Sequence, residues 1–327
     1  MNGLTLLTGA TGFVGKALLR GLLAQGQDPA TLRCLVRRPD GLAEFGLPAD
    51  SIVTGDLADA SALKRAAHGV TTCFHVAGVV KALTFADYLV SNAQGTANLV
   101  AALEAESANA RLVHVSSLAA AGPSTDGSTS ALPPDRCRPP SNYGESKRRG
   151  ELAVVAAKTL RWIIVRPPVV YGPDDQGSQF LWRQAIAPLC AVPRPARPLS
   201  VISVHDVVRA LMLCAASSRA SLIVPLDGPE RFDTDSLMRT IAASCGRKAR
   251  LVHAPIWFAR LAALPVEAWS RILRRPGIFS LDKLREVGAV GWIADPTPAR
   301  ELVGFVASVR ARVGFAELAN PVATPKG

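Results

Sequence analysis

The stretch that most restricts how this chain folds is Thr8-Gly9-Ala10-Thr11-Gly12-Phe13-Val14-Gly15, which follows the apolar run Leu4 to Leu7. It reads as a strand, a glycine-rich turn and the start of a helix. Gly9 takes the positive φ of a tight turn, Gly12 lacks the Cβ that would hold a pyrophosphate off the backbone, and Gly15 lets the helix pack close on the strand. The helix that begins near Gly12 aims its unpaired N–H groups and positive dipole end at whatever sits on the turn. Gly9, Thr11, Gly12, Phe13, Val14 and Gly15 are therefore the first candidates for a dinucleotide cradle. A glycine turn without a ligand has the same short signature, so the rest of the chain has to supply the context.

That context is a repeated alternation of strand and helix. The first helix carries Val14, Leu18, Leu19, Leu22 and Leu23 on its apolar face and leads to a strand at Leu32 to Val36, which completes a β-α-β unit. Further strands are expected at Ser51 to Thr54, Thr72 to Val76, Arg111 to Val115 and Trp162 to Val165, with a long helix from Phe85 to Ala105. The pattern predicts an α/β protein built on a parallel sheet, whose ligands sit at the carboxyl ends of the strands. Weaker alternation continues to the C-terminus, with strands at Leu199 to Val204 and Leu222 to Leu226 and helices near Gln179 to Ile186, Asp206 to Ala216 and Thr234 to Ala243.

Composition removes several function classes. With 49% hydrophobic and 19% charged residues in 327, disorder is excluded and a sizeable core is available. The net charge of +11 raises nucleic acid as a partner, yet the arginines are dispersed and aromatics make up only 6%, so none is expected. Six scattered cysteines have no metal-ligand spacing. Reduced thiols, no metal, no transmembrane segment and a cytoplasmic location are the expectations.

The strand ends supply the other candidates. Asp56, with Leu57 beside it, ends the third strand as an acceptor for an adenine amino group, or else caps the helix that starts near Asp59. Ala77 and Gly78 leave room for a ribose after the fourth strand, and Asn92 is expected to look into the cleft. The fifth strand delivers Ser116 and Ser117. Leu118 to Asn142 reads as a long loop of the kind that forms lids. Ser141 or Asn142 then caps a helix, with Glu145 placed for a capping box, and that helix carries Tyr143 and Lys147 on one face. Pro167, Val169 and Val170 follow the sixth strand. Val36-Arg37-Arg38 offers two guanidiniums where an NAD-preferring site places an acid, so NADP is the preferred cofactor, with NAD as the second choice and Asp40 close by.

Ser117, Tyr143 and Lys147 form a set with its own chemistry. A phenol with a pKa near 10 is a poor base at neutral pH, and a lysine ammonium within about 4 to 6 Å stabilises its phenolate. Tyr143 then exchanges a proton with a substrate oxygen that Ser117 holds, while hydride moves to or from a nicotinamide. Lys147 also serves the nicotinamide ribose.

With these pieces in place the sequence resembles the extended short-chain dehydrogenase/reductase family, which includes NAD-dependent epimerases/dehydratases and 3β-hydroxysteroid dehydrogenase-like reductases. The matching stretches are TGATGFVG at 8 to 15, GDL at 55 to 57, HVAG at 75 to 78, NAQGT at 92 to 96, VSS at 115 to 117, YGESK at 143 to 147 and RPPVVYGP at 166 to 173. The resemblance implies a Rossmann-type doubly wound sheet in residues 1–172 and a smaller C-terminal α/β substrate domain in 173–327, with segments near 200–226 returning to the first. It also implies a homodimer through the helices at 85 to 105 and 143 to 157, and a structural role for Asp206 with His205 tying strand to helix.

The expected function is an oxidoreductase moving hydride between NAD(P) and a secondary alcohol or ketone. The alternatives are a nucleotide-sugar epimerase or dehydratase and, from another class, a non-catalytic cofactor-binding regulator. Sugar-nucleotide members of the resembling family carry an asparagine after the sixth strand, where Pro167-Pro168-Val169-Val170 has none. The dehydratases have an Asp-Glu pair where this chain has Leu118-Ala119. An apolar small-molecule substrate is expected instead, in a pocket of Val169, Val170, Phe180, Leu181, Trp182 and the Trp257 to Trp269 region. That last region also reads as a basic amphipathic helix with Arg260, Arg271, Arg274 and Arg275, interrupted at Pro265.

Overall fold

The computed structural model describes residues 3–175, 178–274, 277 and 280–323. Its centre is a seven-stranded, all-parallel sheet. The first strand, β1 (Leu4–Thr8), is followed by helix α1 (Phe13–Ala24) and by β2 (Leu32–Val36) and β3 (Ile52–Thr54), then α2 (Ala60–Ala67) and β4 (Val70–His75). Next come α3 (Phe85–Tyr88), a π-helical stretch (Leu89–Gln94) and α4 (Gly95–Glu106), which together form the long helix of the sequence. The rest of this half is β5 (Arg111–Val115), a short α5 (Leu118–Ala121), α6 (Asn142–Val155), β6 (Arg161–Arg166) and β7 (Val169–Tyr171).

The second half contains α7 (Ser178–Ala185), β8 (Cys190–Arg194), β9 (Pro198–Ser203), α8 (Val204–Ala216), β10 (Leu222–Pro225), β11 (Arg231–Asp233) and α9 (Thr234–Ser244). It closes with β12 (Leu251–Pro255), α10 (Ile256–Ile272), α11 (Leu281–Val287), α12 (Thr297–Val303) and α13 (Ala311–Ala323). The strand order β10-β6-β5-β4-β1-β2-β3 reverses direction between β1 and β4. That is the switch point at which a doubly wound sheet opens a crevice beyond the strand ends.

Two apolar layers hold the sheet. Leu18, Leu19 and Leu22 of α1 meet Val207 and Leu211 of α8 on one face, and Leu63, Leu99 and Leu103 cover the other. Strands buried on both faces need no polar alternation, which is why β5 is buried along its whole length. A separate cluster around Tyr171, Trp182, Ile241 and Phe315 fills the second half.

Four features differ from the sequence-based expectations. The π-helical stretch breaks the regular period of the long helix where Gly150 of α6 comes so close that a Cβ there would lie 2.4 Å from the Asn92 carbonyl oxygen. The segment expected as a lid is fastened down: buried Arg166 forms a bidentate pair with Glu151 at 2.8 and 2.6 Å and donates to the Ser130 and Leu132 carbonyls. Pro265 lies inside α10 without ending it, since an interior proline removes only one backbone hydrogen bond and the helix continues past it to Ile272. His205 is exposed and faces Glu317, while buried Asp206 accepts from the Ser308 and Val309 backbone, so it ties α8 to the segment before α13 rather than a strand to a helix.

Candidate active site

The glycine turn has the shape the sequence called for. Gly9 sits at φ +76°, and a Cβ there would come within 2.6 Å of the Ala77 nitrogen. A Cβ on Gly15 would lie 2.0 Å from the Gly9 oxygen, so only glycine lets α1 sit so close to the end of β1. Gly12 is the N-cap residue of α1, in extended conformation and with no side chain capping the helix. Its own Cβ position meets nothing nearer than the Gly9 oxygen at 3.3 Å. The first N–H groups of a twelve-residue helix are thus left to a ligand, which is what the pyrophosphate of a dinucleotide requires.

The surrounding candidates converge on this turn. The Ala77 nitrogen donates to the Thr8 hydroxyl at 3.3 Å, and Thr8 in turn bonds His75 at 2.7 Å, which reaches Thr96 on α4 at 2.9 Å. Burial, with Lys147 adding, lowers His75 to about 3, so the ring is neutral in this chain. Phe13 packs toward Gly172, where a Cβ would stand 3.3 Å from its ring, and Thr11 borders Gly41. Arg37 and Arg38 are exposed just past β2, with no ion-pair partner among the described residues. Asp56 is exposed and accepts from the Ala58 and Asp59 nitrogens at 2.8 and 3.1 Å. It shapes the turn before α2, while Asp59 is the residue that caps that helix through the Ala62 nitrogen. Leu57 packs against Gly95 at the start of α4.

Asn92 corrects an expectation. Rather than looking into the cleft it is 1% exposed, accepts from the Val79 nitrogen at 2.8 Å and donates to the Val79 carbonyl and the Ser146 hydroxyl, both at 2.9 Å. Its amide is spent on clamping the loop after β4 to α6. That loop includes Gly78, where a Cβ would fall 2.9 Å from the Asn92 side-chain oxygen and 3.6 Å from the Lys147 ammonium.

Ser117, Tyr143 and Lys147 are brought together at the carboxyl end of β5. Ser117 caps α5 through the Ala119 nitrogen at 3.1 Å, and its hydroxyl lies on the side of the Tyr143 phenol, whose pKa it lowers. The Lys147 ammonium donates to the Val115 carbonyl at 2.8 Å. Burial lowers Lys147 to about 8, against a smaller upward pull from Glu151. Burial also raises the Tyr143 phenol well above its ordinary value, with Glu286 and Tyr88 adding to the rise and the Ser117 hydroxyl opposing it. In this chain alone the phenol is therefore held protonated, because its surroundings are apolar and acidic. Ser116 is 4% exposed and its hydroxyl has no hydrogen-bond partner among the described residues. A buried, unanswered hydroxyl beside this triad suits a polar cofactor group. Together with the uncapped start of α1 it shows that the residues present fit a dinucleotide. Pro167 is buried and its carbonyl accepts from the Leu118 nitrogen, while Val169 is exposed and Val170 half-buried.

The helix that carries Tyr143 is held from a distance. Ser141, not Asn142, caps α6, through the Gly144 nitrogen at 3.0 Å; that puts Gly144 at the third helical position and Glu145 one residue too far on, so the capping box does not form and Glu145 pairs with Arg148 and Arg149. Asp282 of α11 takes over: its carboxylate accepts from the Asn142 nitrogen at 2.7 Å and the Tyr143 nitrogen at 3.2 Å. Glu286, one turn on, accepts from the Ser141 hydroxyl at 2.7 Å. Neither carboxylate was a sequence candidate. In the sequence Asp282 is only an acid in the first turn of a helix, a common placement with no functional sign.

The expected apolar pocket divides. Trp182 is 2% exposed and packs edge-on to Phe315, so it belongs to the core. The Trp257 to Trp269 region faces solvent. Phe180 and Val169 are about two-fifths exposed. Among the described residues no cluster of His, Cys, Asp and Glu could hold a metal, and no helix is long and apolar enough to cross a membrane.

Comparison with known proteins agrees with this geometry. The profile of the NAD dependent epimerase/dehydratase family matches residues 5–221. The ceramide reductase of Caulobacter vibrioides is 35% identical over 306 residues, covering 92% of this chain and 89% of that protein. A UDP-glucose 4-epimerase of Vibrio cholerae is 24% identical over 305 residues, 88% of this chain and 89% of the epimerase. Among solved structures, MoeE5 in complex with UDP-glucose and NAD shares the fold at a TM-score of 0.72 and 23% identity, over 97% of this chain and 98% of that one. The glycine turn, the switch point and the serine, tyrosine and lysine gathered beside it are those of an NAD-dependent oxidoreductase of the extended short-chain type, and the chain belongs to the NAD dependent epimerase/dehydratase family.

Proposed function

We propose that this enzyme is a reductase that uses NADPH, with NADH as the weaker alternative, to reduce a ketone on a long-chain, largely apolar substrate. The observation that carries the reading is the Tyr143 phenol, buried beside Ser117 and kept protonated by that burial. A protonated phenol is a proton donor, which is what a carbonyl oxygen needs as it becomes an alcohol. Ser117 would hold that oxygen, and Lys147, still protonated below about pH 8, would keep positive charge at the site. When bound, the nicotinamide supplies the hydride. Gly9, Thr11, Gly12, Phe13, Val14 and Gly15 would take the pyrophosphate, and Asp56 and Leu57 the adenine. Ala77, Gly78, Ser116, Lys147, Pro167, Val169 and Val170 would border the ribose and nicotinamide, with Asn92 supporting them. Arg37 and Arg38 are our basis for NADP, since two unpaired guanidiniums suit a 2′-phosphate. Residues 1–172 would serve the cofactor and 173–327 mainly the substrate.

The substrate class rests on the likeness to a ceramide reductase and on the absence of sugar-nucleotide residues at Pro167-Pro168-Val169-Val170 and Leu118-Ala119. The epimerase reading is favoured only by the weaker likeness to a UDP-glucose 4-epimerase. A panel of long-chain keto-lipids, short ketones and UDP-, dTDP- and GDP-sugars, followed by the loss of NADPH absorbance, tests the proposal. Turnover on keto-lipids is the expected result. Micromolar binding of a nucleoside diphosphate would transfer the chain to the epimerases.

A further inference from the structure

Helix α10 is amphipathic the wrong way round for a core helix. Ile256, Ala259, Ala263, Glu267 and Ser270 form its inward stripe, at the three- and four-residue spacing of one helix face, and Ala263 is fully buried. Glu267, the helix's one carboxylate, points inward and accepts from the Leu281 nitrogen at 3.1 Å. The outward stripe is Trp257, Phe258, Leu261, Leu264, Trp269 and Ile272, each more than half exposed, with Ile272 at 70%. Apart from Ile256, small and polar residues thus face the protein, and most of the large apolar ones face solvent. Single exposed apolar residues are ordinary, but a contiguous stripe marks an interaction surface.

We infer that α10 is a peripheral membrane-docking helix for a bilayer containing anionic lipid. Three observations choose this occupant. The two tryptophans stand twelve residues apart, about 18 Å along the helix axis and both within its exposed face, and an indole with an apolar body and one N–H donor is the side chain that settles at a lipid headgroup boundary. Arg260 and Arg274 are exposed at the flanks, in a chain of net charge +11, while no carboxylate of α10 faces outward. Arg275 lies outside the described residues. A second copy of this face would set the same arginines against one another, whereas an anionic headgroup answers them. Finally, α10 packs on α11, whose Asp282 and Glu286 hold the start of α6 and so Tyr143. A bilayer on α10 lies one helix away from the proposed proton donor, where an apolar substrate can pass from lipid to site. The inference deepens the keto-lipid reading and shares its site.

Co-sedimentation with vesicles separates the two. The protein without substrate is mixed with phosphatidylcholine vesicles with or without about one third phosphatidylglycerol. Wild type should bind the anionic vesicles, less so at high salt. Trp257→Ser with Trp269→Ser should lose at least about tenfold in partition, and Arg260→Ala with Arg274→Ala severalfold together with the salt dependence. Turnover of both variants on a water-soluble short-chain ketone should match wild type. Failure of wild type to bind, or undiminished binding by the tryptophan variant, would overturn the inference whatever the substrate panel gives. A dimer-to-monomer change in that variant without vesicle binding would assign the face to a second copy. Loss of turnover on the soluble ketone would assign it to the substrate pocket.

Discussion

Two helix N-termini bear on the candidate site and are finished in opposite ways. At α1 the N-cap is Gly12, and no side chain takes up the first N–H groups. At α6 the N-cap is Ser141, and Asp282 from 139 and 140 residues away accepts from the next two nitrogens. Both ends carry the same unsatisfied donors and the same positive dipole end. The first is left for a ligand's negative charge. The second is satisfied within the chain, so the helix is anchored as a mount for Tyr143 and Lys147. An uncapped helix start beside a strand end can bind, and a fully capped one can position.

Exchanging these finishes should separate binding from turnover. The largest effect is expected at Gly12→Asp, which would cap α1 and set a carboxylate against the pyrophosphate. Losing a hydrogen bond to a charged group costs about 1.5–3 kcal/mol, so cofactor affinity by calorimetry should fall roughly tenfold to a hundredfold. Stability should hold or rise by a few tenths of a kcal/mol, since Asp caps at least as well as Gly. Unchanged affinity would mean that the phosphates lie elsewhere.

The converse variant, Asp282→Ala, uncaps α6. Turnover should drop by roughly tenfold through misplacement of the phenol, stability by about 1 kcal/mol, and cofactor affinity hardly at all. A drop confined to affinity would break the division of labour. Smaller still is Arg37→Ala, expected to weaken NADP severalfold and leave NAD untouched. Equal loss of both cofactors would remove the 2′-phosphate assignment.

The pH dependence is the gentlest probe. Burial puts Lys147 at about 8 in the folded chain, below its ordinary 10.5. Between those values the unfolded chain binds the extra proton, so this residue makes stability increase with pH across about 8 to 10.5. If turnover depends on the protonated lysine as proposed, reduction should decline above about pH 8, and a rate profile flat to pH 10 would detach the Lys147 charge from turnover.

The same contrast explains what could be read in advance. The geometry of the glycine turn and of the serine, tyrosine and lysine cluster was legible because each part is local: a turn within eight residues, a strand ending in Ser116-Ser117, a tyrosine and lysine one helical turn apart. Periodicity alone placed β2 and β5 at their observed bounds. Asp282 and Glu286 were not legible, since their role comes from tertiary contact across 139 to 145 residues. Asn92 was misread because a polar residue inside a helix looks the same whether it faces a cleft or answers a loop backbone. The apolar residues of α7 and α10 show a third limit: helical spacing reveals that a stripe exists and leaves open whether it faces in, as at Trp182, or out, as at Trp257.

The central claim, proton donation by Tyr143 to a substrate carbonyl, is tested most directly by steady-state reduction of a keto-lipid with saturating NADPH in wild type and Tyr143→Phe. Phenylalanine keeps the ring and removes only the hydroxyl beside Ser117. The account predicts a loss of at least about a hundredfold in kcat, the lower range for general acid catalysis, with cofactor affinity nearly intact. Near-normal turnover by the variant would contradict it.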